Sequence, residues 1–231
     1  MRVAIVENTR ITHHGQVGVA LHEAAARIGL YRPWADGALP DPAEHDALVV
    51  FGGEQSALAD DTHPYLPDLA ARMRAFTEAD KAVLGICLGA QVLARAFGGV
   101  NRLGAAPEFG WCQVDLRPEG LADPLFRGID GSFRTFHLHS DTFDLPPGAV
   151  HLATASGVPS QAFRIGRATY GTQFHFEASR AVVADWNRLF SHIFREQTDD
   201  WDRIYPQAEA EFGAASDAAG LQLARNWVAL I

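Results

Sequence analysis

Apolar runs of strand length alternate with longer amphipathic segments through the first hundred residues, and few folds accept that alternation. The runs are "RVAIVE" (2–7), "DALVVFGG" (46–53) and "AVLGI" (82–86). Each is continuously apolar rather than alternating, the mark of a strand covered on both faces. Between and after them, "QVGVALHEAAARIG" (16–29), "YLPDLAARMRAFTEAD" (65–80) and "LGAQVLARAF" (88–97) carry helical spacing, with stops at Gly29 and at Gly98-Gly99. A repeated strand, helix, strand order predicts a parallel sheet with helices on both faces.

Beyond residue 100 the pattern shifts to short strands divided by turn signals: "WCQVDL", "FRTFHLH", "AVHLATAS", "QAFRI" and "ATYGTQFHFE". An antiparallel extension that returns to the main sheet fits this order. From Ser179 onward the chain reads as helical, and the tail after Gln197 as two further helices broken near Pro206 and Gly213. The last, "SDAAGLQLARNWVALI", aligns Leu221, Ala224, Trp227, Val228 and Ile231 in one stripe, which must cover either the body of the chain or a second copy of it in a homodimer. Residues 1–196 are therefore expected to form one α/β domain and 197–231 a helical extension packed on it. A length of 231 residues suits a single core of this kind.

Charge narrows the partners. With 19 basic and 28 acidic residues the formal net charge is −9, and no dense Lys/Arg cluster occurs, so nucleic acid and anionic membrane are excluded as expected partners. The first apolar run ends at Val6, short of a secretory signal, and no stretch reaches the roughly 20 apolar residues of a membrane span. The two cysteines, Cys87 and Cys112, lack CxxC spacing, which argues against a disulfide framework or structural zinc and for a reducing cytoplasm.

Cys87 stands between Gly85 and Gly89 where an apolar strand gives way to a helix. A G-x-C-x-G junction of this kind resembles a nucleophile elbow with sulfur in place of oxygen. The tight turn demands small residues two positions either side, and it aims the sulfur at a helix N-terminus, where the dipole and free N–H groups favour a thiolate. The Leu88 N–H then lies where an oxyanion develops. Cys112, after Trp111 in a strand, reads as core. Two residues apart on one extended face, His175 and Glu177 supply a base and the carboxylate that orients it.

Four motifs in order, "VVFGGEQS", "GICLGAQVLA", "HLHSDTFDLPPGA" and "GTQFHFE", resemble those of the class I (triad) glutamine amidotransferases, particularly stand-alone members similar to the amidotransferase domain of GMP synthase. The resemblance spans residues 47–177. It implies a three-layer α/β/α flavodoxin-like fold and hydrolysis of the glutamine side-chain amide, without a cofactor, through a γ-glutamyl thioester on Cys87. It further implies that His175 protonates the departing ammonia and that backbone N–H groups of Gly53 and Leu88 form the oxyanion hole. Gln91 and the His139-Ser140-Asp141 segment would hold the amino-acid head, with Gly52 beside them. The chain departs from the family pattern at Glu54, where proline is common, at Ser140, usually glycine, and at Phe176, usually proline.

No GxxxxGK[ST] phosphate loop occurs, so an ammonia acceptor calls for a synthase partner in trans. An independent hydrolase of γ-glutamyl amides or peptides uses the same triad, and a redox or chaperone module can use an elbow cysteine on a related fold. The small-molecule partner is thus glutamine or another γ-glutamyl compound. His137, His139 and Asp141 alternate as metal ligands on a strand can, but the amidotransferase motif already employs two of them and no metal is expected. His13 and His14 read as solvated or lightly packed loop residues.

Overall fold

Val3, Ala4, Ile5 and Val6 are buried on both faces of the chain's first strand, which is why that run carries no alternation. The computed structural model describes residues 1–198 and 200–231. Its first hundred residues form β1 (Arg2–Val6), α1 (Gly15–Glu23), β2 (Arg27–Tyr31), α2 (Pro33–Asp36), β3 (Ala47–Val50), α3 (Leu66–Glu78), β4 (Ala82–Ile86) and α4 (Leu88–Ala96). Next come β5 (Asn101–Arg102), β6 (Glu108–Leu116), α5 (Pro118–Leu121), β7 (Ser132–His139), β8 (Thr142–Phe143), β9 (Val150–Ala155), β10 (Val158–Ile165) and β11 (Thr169–Thr172). The helical remainder is α6 (Arg180–Leu189), α7 (Ser191–Gln197), α8 (Trp201–Ala208), a π-helical turn over Glu209–Gly213, and α9 (Ala214–Val228).

One nine-stranded sheet runs in the order β2-β1-β3-β4-β11-β10-β9-β6-β7. Its first five strands are parallel and the rest antiparallel, the mostly parallel sheet with an antiparallel extension that the sequence predicts. On one face Val3, Ile5, Val49 and Leu84 pack beneath α1 and α9, with Leu223, Ala224 and Trp227 of α9 in the same core. On the other, Ala4, Val6, Leu48 and Val83 pack beneath α3 and α4. A third cluster, including Trp111, Phe136, Val183, Trp186 and Trp201, fastens α6 and α8 to the antiparallel end. Among the described residues no helix is long and apolar enough to cross a membrane.

Three expectations need correction. The helix over 16–29 ends at Glu23, and residues 27–31 form β2 at the sheet edge. The stop is Ala25 at φ 51°, with Ala26 N–H donating to Leu21 and Ala25 N–H to His22, a left-handed cap made by alanine where glycine is usual. The run of three alanines conceals it. The tail does not break at Pro206 or Gly213, since helix continues through both. Pro206 and Asp202, whose carbonyl loses its i+4 donor, are exposed to water, and Gly213 serves packing: a Cβ there would lie 2.6 Å from Arg180 Cδ. Finally, the apolar stripe of α9 faces the body of the chain, and it is Leu223 rather than Leu221 that enters the core.

Candidate active site

Parallel strands put their C-terminal ends at one edge, and three of those ends make the site. Val50 of β3 pairs with Gly85 of β4, and Ile86 of β4 pairs with Thr172 of β11, so Phe51–Gly53, Cys87 and residues 173–177 emerge side by side. Cys87 adopts φ 52°, ψ −109°, a left-handed conformation costly for a side chain, and its N–H is anchored on the Thr172 carbonyl at 2.8 Å. The flanking glycines are required sterically. A Cβ on Gly85 would lie 2.5 Å from the Gly89 carbonyl oxygen, and one on Gly89 would lie 2.0 Å from that of Val50. The chain holds this strained turn and so presents the sulfur at the first turn of α4.

His175 and Glu177 lie just past the end of β11 rather than within it. An isolated bridge to Phe136 of β7, with His175 N–H donating to the Phe136 carbonyl at 2.8 Å, keeps the segment extended. His175 Nδ1 donates to Glu177 Oε1 at 2.7 Å, and both side chains are buried. Burial pushes the His175 pKa down, but the charge of Glu177 and the nearby Cys87 sulfur outweigh it and lift it to about 10. The imidazole is therefore protonated at neutral pH, with its second nitrogen free for chemistry at the sulfur.

All ten residues singled out in the sequence line one cavity of about 270 Å³: Cys87, His175, Glu177, Gly52, Gly53, Leu88, Gln91, His139, Ser140 and Asp141. Their side chains are used unequally. His139 Nδ1 donates to the Asp141 carbonyl at 3.0 Å, its Nε2 meets Glu108 at 3.0 Å, and Asp141 Oδ1 accepts from Gly104 N–H at 2.8 Å. Those two side chains brace the loop, and it is mainly backbone that the segment offers the cavity.

Sequence reasoning missed Gln173. It is fully buried, and its Nε2 lies 3.7 Å from Cys87 Sγ. The orientation of this amide follows from its neighbours. Gln91 Nε2 must be a donor because it meets the Asp141 carbonyl at 3.2 Å; the same nitrogen donates to Gln173 Oε1 at 3.2 Å, so it is the Gln173 N–H that faces the sulfur. A donor there stabilises a thiolate. Also missed were Trp186 of α6, Phe190 at the α6–α7 junction and Ile193 of α7, which line the cavity. Trp186 meets the His175 ring edge-on, with centroids 5.2 Å apart. Their helical spacing in the sequence is indistinguishable from an ordinary core stripe.

The alternating trio His137, His139 and Asp141 does not assemble, because the Asp141 carboxylate turns to Gly104. Glu108 takes its place and lies within 4.8 Å of both histidines. Hydrogen bonds occupy two of its three members, since Glu108 Oε2 accepts from His139 and from Gln161 at 2.6 Å, while neither ring nitrogen of the buried His137 has a hydrogen-bond partner. Although burial pushes Glu108 upward, His137 and His139 hold its pKa at about 2. Cys112 is half-buried, with burial raising its thiol to about 11, which suits an inert role. The His13-His14 pair is more engaged than expected: His13 meets Asp185 at 2.8 Å, and His14 meets Glu7 at 2.9 Å while stacking on Phe51.

The model of a family described as glutamine amidotransferase class-I matches residues 22–184. Over 217 residues, 86% of this chain and 90% of the relative, the sequence is 30% identical to the glutamine amidotransferase-like protein YfeJ of Salmonella typhimurium. It is 29% identical over 187 residues to a separate subunit of the glutamine-hydrolysing GMP synthase of Natronomonas pharaonis, covering 80% of this chain and 92% of the other. A glutamine amidotransferase structure from Thermotoga maritima superposes with a TM-score of 0.85 at 24% identity, over 98% of this chain and 97% of that one. This last is a likeness of fold.

Proposed function

Because the chain belongs to the class I glutamine amidotransferase family, we propose that it hydrolyses the side-chain amide of glutamine to glutamate and ammonia. The observation that carries the reading is the strained Cys87 at the head of α4, in one cavity with a His175 that Glu177 holds protonated. The Cys87 thiolate attacks the amide carbon, and the developing oxyanion meets the backbone N–H groups of Gly53 and Leu88; losing one such donor typically costs ~10²–10³ in rate. His175 gives its proton to the departing nitrogen, the C–N bond breaks, and a γ-glutamyl thioester remains. Water, deprotonated by the now neutral His175, then cleaves the thioester and restores the ion pair.

At the polar end of the cavity, Gln91 has committed its N–H groups to Asp141 and Gln173, which leaves its Oε1 to accept from the ammonium group of glutamine. Backbone of the His139-Ser140-Asp141 segment and of Gly52 completes the cradle. Relatives named as separate subunits of GMP synthase suggest an acceptor of the ammonia: a synthase partner supplied in trans. A reducing cytoplasm, where the Cys87 thiol stays free, suits this activity.

The test is intact-protein mass after incubation with a glutamine-mimicking diazo-ketone, on wild type and on Cys87→Ala. One adduct per chain, absent from the variant, is expected. Wild type that stays unlabelled, while a general thiol reagent still modifies Cys87, would refute the glutamine assignment.

A further inference from the structure

Strand register brings three side chains of metal-ligating type together at the antiparallel end of the sheet. Glu108 of β6 pairs with His139 of β7, and His137, two residues earlier on β7, shares the face of His139. Among the described residues these three form a group whose candidate ligand atoms all lie within 4.8 Å of one another. His139 lines the active-site cavity, whereas Glu108 and His137 take no part in the chemistry above.

Two observations point to a cation. His139 Nδ1 must donate to the Asp141 carbonyl at 3.0 Å, so in the neutral ring Nε2 carries a lone pair, and it meets Glu108 Oε2 at 3.0 Å. Two acceptors at that separation repel unless a positive charge joins them, either an added proton or a metal ion. His137 supplies the second observation. It is fully buried, neither ring nitrogen has a hydrogen-bond partner, and Nδ1 stands 3.3 Å from the same Oε2, outside hydrogen-bond geometry. A proton on His139 leaves His137 orphaned; a metal ion engages both rings.

We propose that Glu108, His137 and His139 bind a zinc-class divalent cation, which pins β6 to β7 and to the cavity-lining 139–141 segment. Two imidazoles and one carboxylate are a donor set for Zn²⁺, while Mg²⁺ and Ca²⁺ call for oxygen ligands. Tetrahedral Zn²⁺, with Zn–N of ~2.0–2.1 Å and Zn–O of ~2.0–2.2 Å, holds neighbouring donor atoms roughly 3.3 Å apart. The two N···O separations here are 3.0 and 3.3 Å. Groups that orient the ligands are also in place: the Asp141 carbonyl fixes the His139 tautomer, and Gln161 Nε2 donates to Glu108 Oε2 at 2.6 Å. The cavity gives a path of entry at His139, and binding releases to solvent the proton that otherwise joins His139 to Glu108. Three protein ligands leave the fourth position to water.

The test uses the full, tag-free chain carrying Cys87→Ala, so that the active-site thiol cannot take the ion. After chelator treatment and dialysis against micromolar Zn²⁺, elemental analysis should find one zinc per chain, with a raised thermal midpoint that Mg²⁺ does not reproduce. Co²⁺ in its place should give the visible d–d bands of a tetrahedral site without the near-ultraviolet band of a thiolate ligand. Glu108→Gln and His137→Gln should each weaken binding at least ~100-fold, the top of the range for losing a group that merely orients a ligand. A chain that takes up no zinc overturns the inference, and a proton is then what joins His139 to Glu108. Zinc bound equally well in both variants places the ion elsewhere and overturns it too, as does a thiolate band, which would point to Cys112. Glu108→Gln keeps the shape of the side chain and decides the matter if His137→Gln fails to fold.

Discussion

Replacing Glu177 by glutamine keeps the shape of the site and removes one buried charge, and the structure says what that charge does. His175 Nδ1 lies 2.7 Å from Glu177 Oε1, both side chains are buried, and the imidazole is lifted from 6.5 to about 10 against the opposing effect of burial. Without the carboxylate, burial is opposed by the Cys87 sulfur alone, and the pKa falls from that value. Breaking a buried ion pair by removing one partner typically costs about 3–5 kcal/mol. His175 must carry its proton to release the leaving group, so activity is lost as pH rises through the folded-state value. In wild type the alkaline limb of kcat/KM for glutamine hydrolysis is expected near pH 10; in Glu177→Gln it moves to lower pH. Stability follows the same sign. A folded pKa above the unfolded value contributes stability that is fully present below pH 6.5 and is lost as pH climbs to about 10. Urea melts across that window should therefore slope downward for wild type and less steeply for the variant. An alkaline limb that stays near pH 10 in Glu177→Gln would refute the assignment of His175's charge to Glu177.

Three further outcomes test the site. Gln173→Leu removes the N–H that faces Cys87 Sγ, and a hydrogen bond to a charged group is worth ~1.5–3 kcal/mol, so iodoacetamide alkylation at neutral pH should slow by about tenfold or more; equal rates would assign Gln173 to packing alone. Gly89→Ala places a Cβ 2.0 Å from the Val50 carbonyl oxygen with backbone on both sides of the clash, so its urea midpoint should fall by more than ~3 kcal/mol equivalent, and a loss under ~1 would contradict the elbow geometry. In Gly220→Ala the added Cβ would lie 2.1 Å from the Phe176 carbonyl, displacing the His175–Glu177 segment. Its kcat should drop at least tenfold while Cys87 remains open to alkylation, and unchanged turnover would show that α9 does not support the triad.

What the sequence revealed depended on how local each signal was. β1, β3 and β4 were legible because each is a continuous apolar run, and the elbow was legible because its steric demand falls within five consecutive residues, Gly85 to Gly89. β2 was hidden because an alanine took the left-handed cap where glycine would have announced the end of α1. Gln173 had no local signal at all. Its contact with Cys87 exists only because β11 returns across the sheet to lie beside β4, a pairing between residues about 86 apart in the chain. Glu108 was invisible for the same reason, since β6 meets β7 in a register that sets it opposite His139.

The departure at Phe176 finds its physical account in the tail. A proline there would stiffen the backbone between His175 and Glu177 through its fixed φ. Phe176 cannot do so, yet its side chain is buried in the core that holds Leu223, Ala224 and Trp227 of α9, and Gly220 lets that helix approach the Phe176 carbonyl closely. On the other side Gln16 N–H, at the start of α1, donates to the Glu177 carbonyl at 2.9 Å. The segment that carries the base and its orienting acid lies outside the strand ladder, and two helices grip it where ladder hydrogen bonds are missing. The rigidity a ring would build into the main chain is here supplied by tertiary packing. The C-terminal helix thereby becomes part of what keeps His175 and Glu177 in register with Cys87.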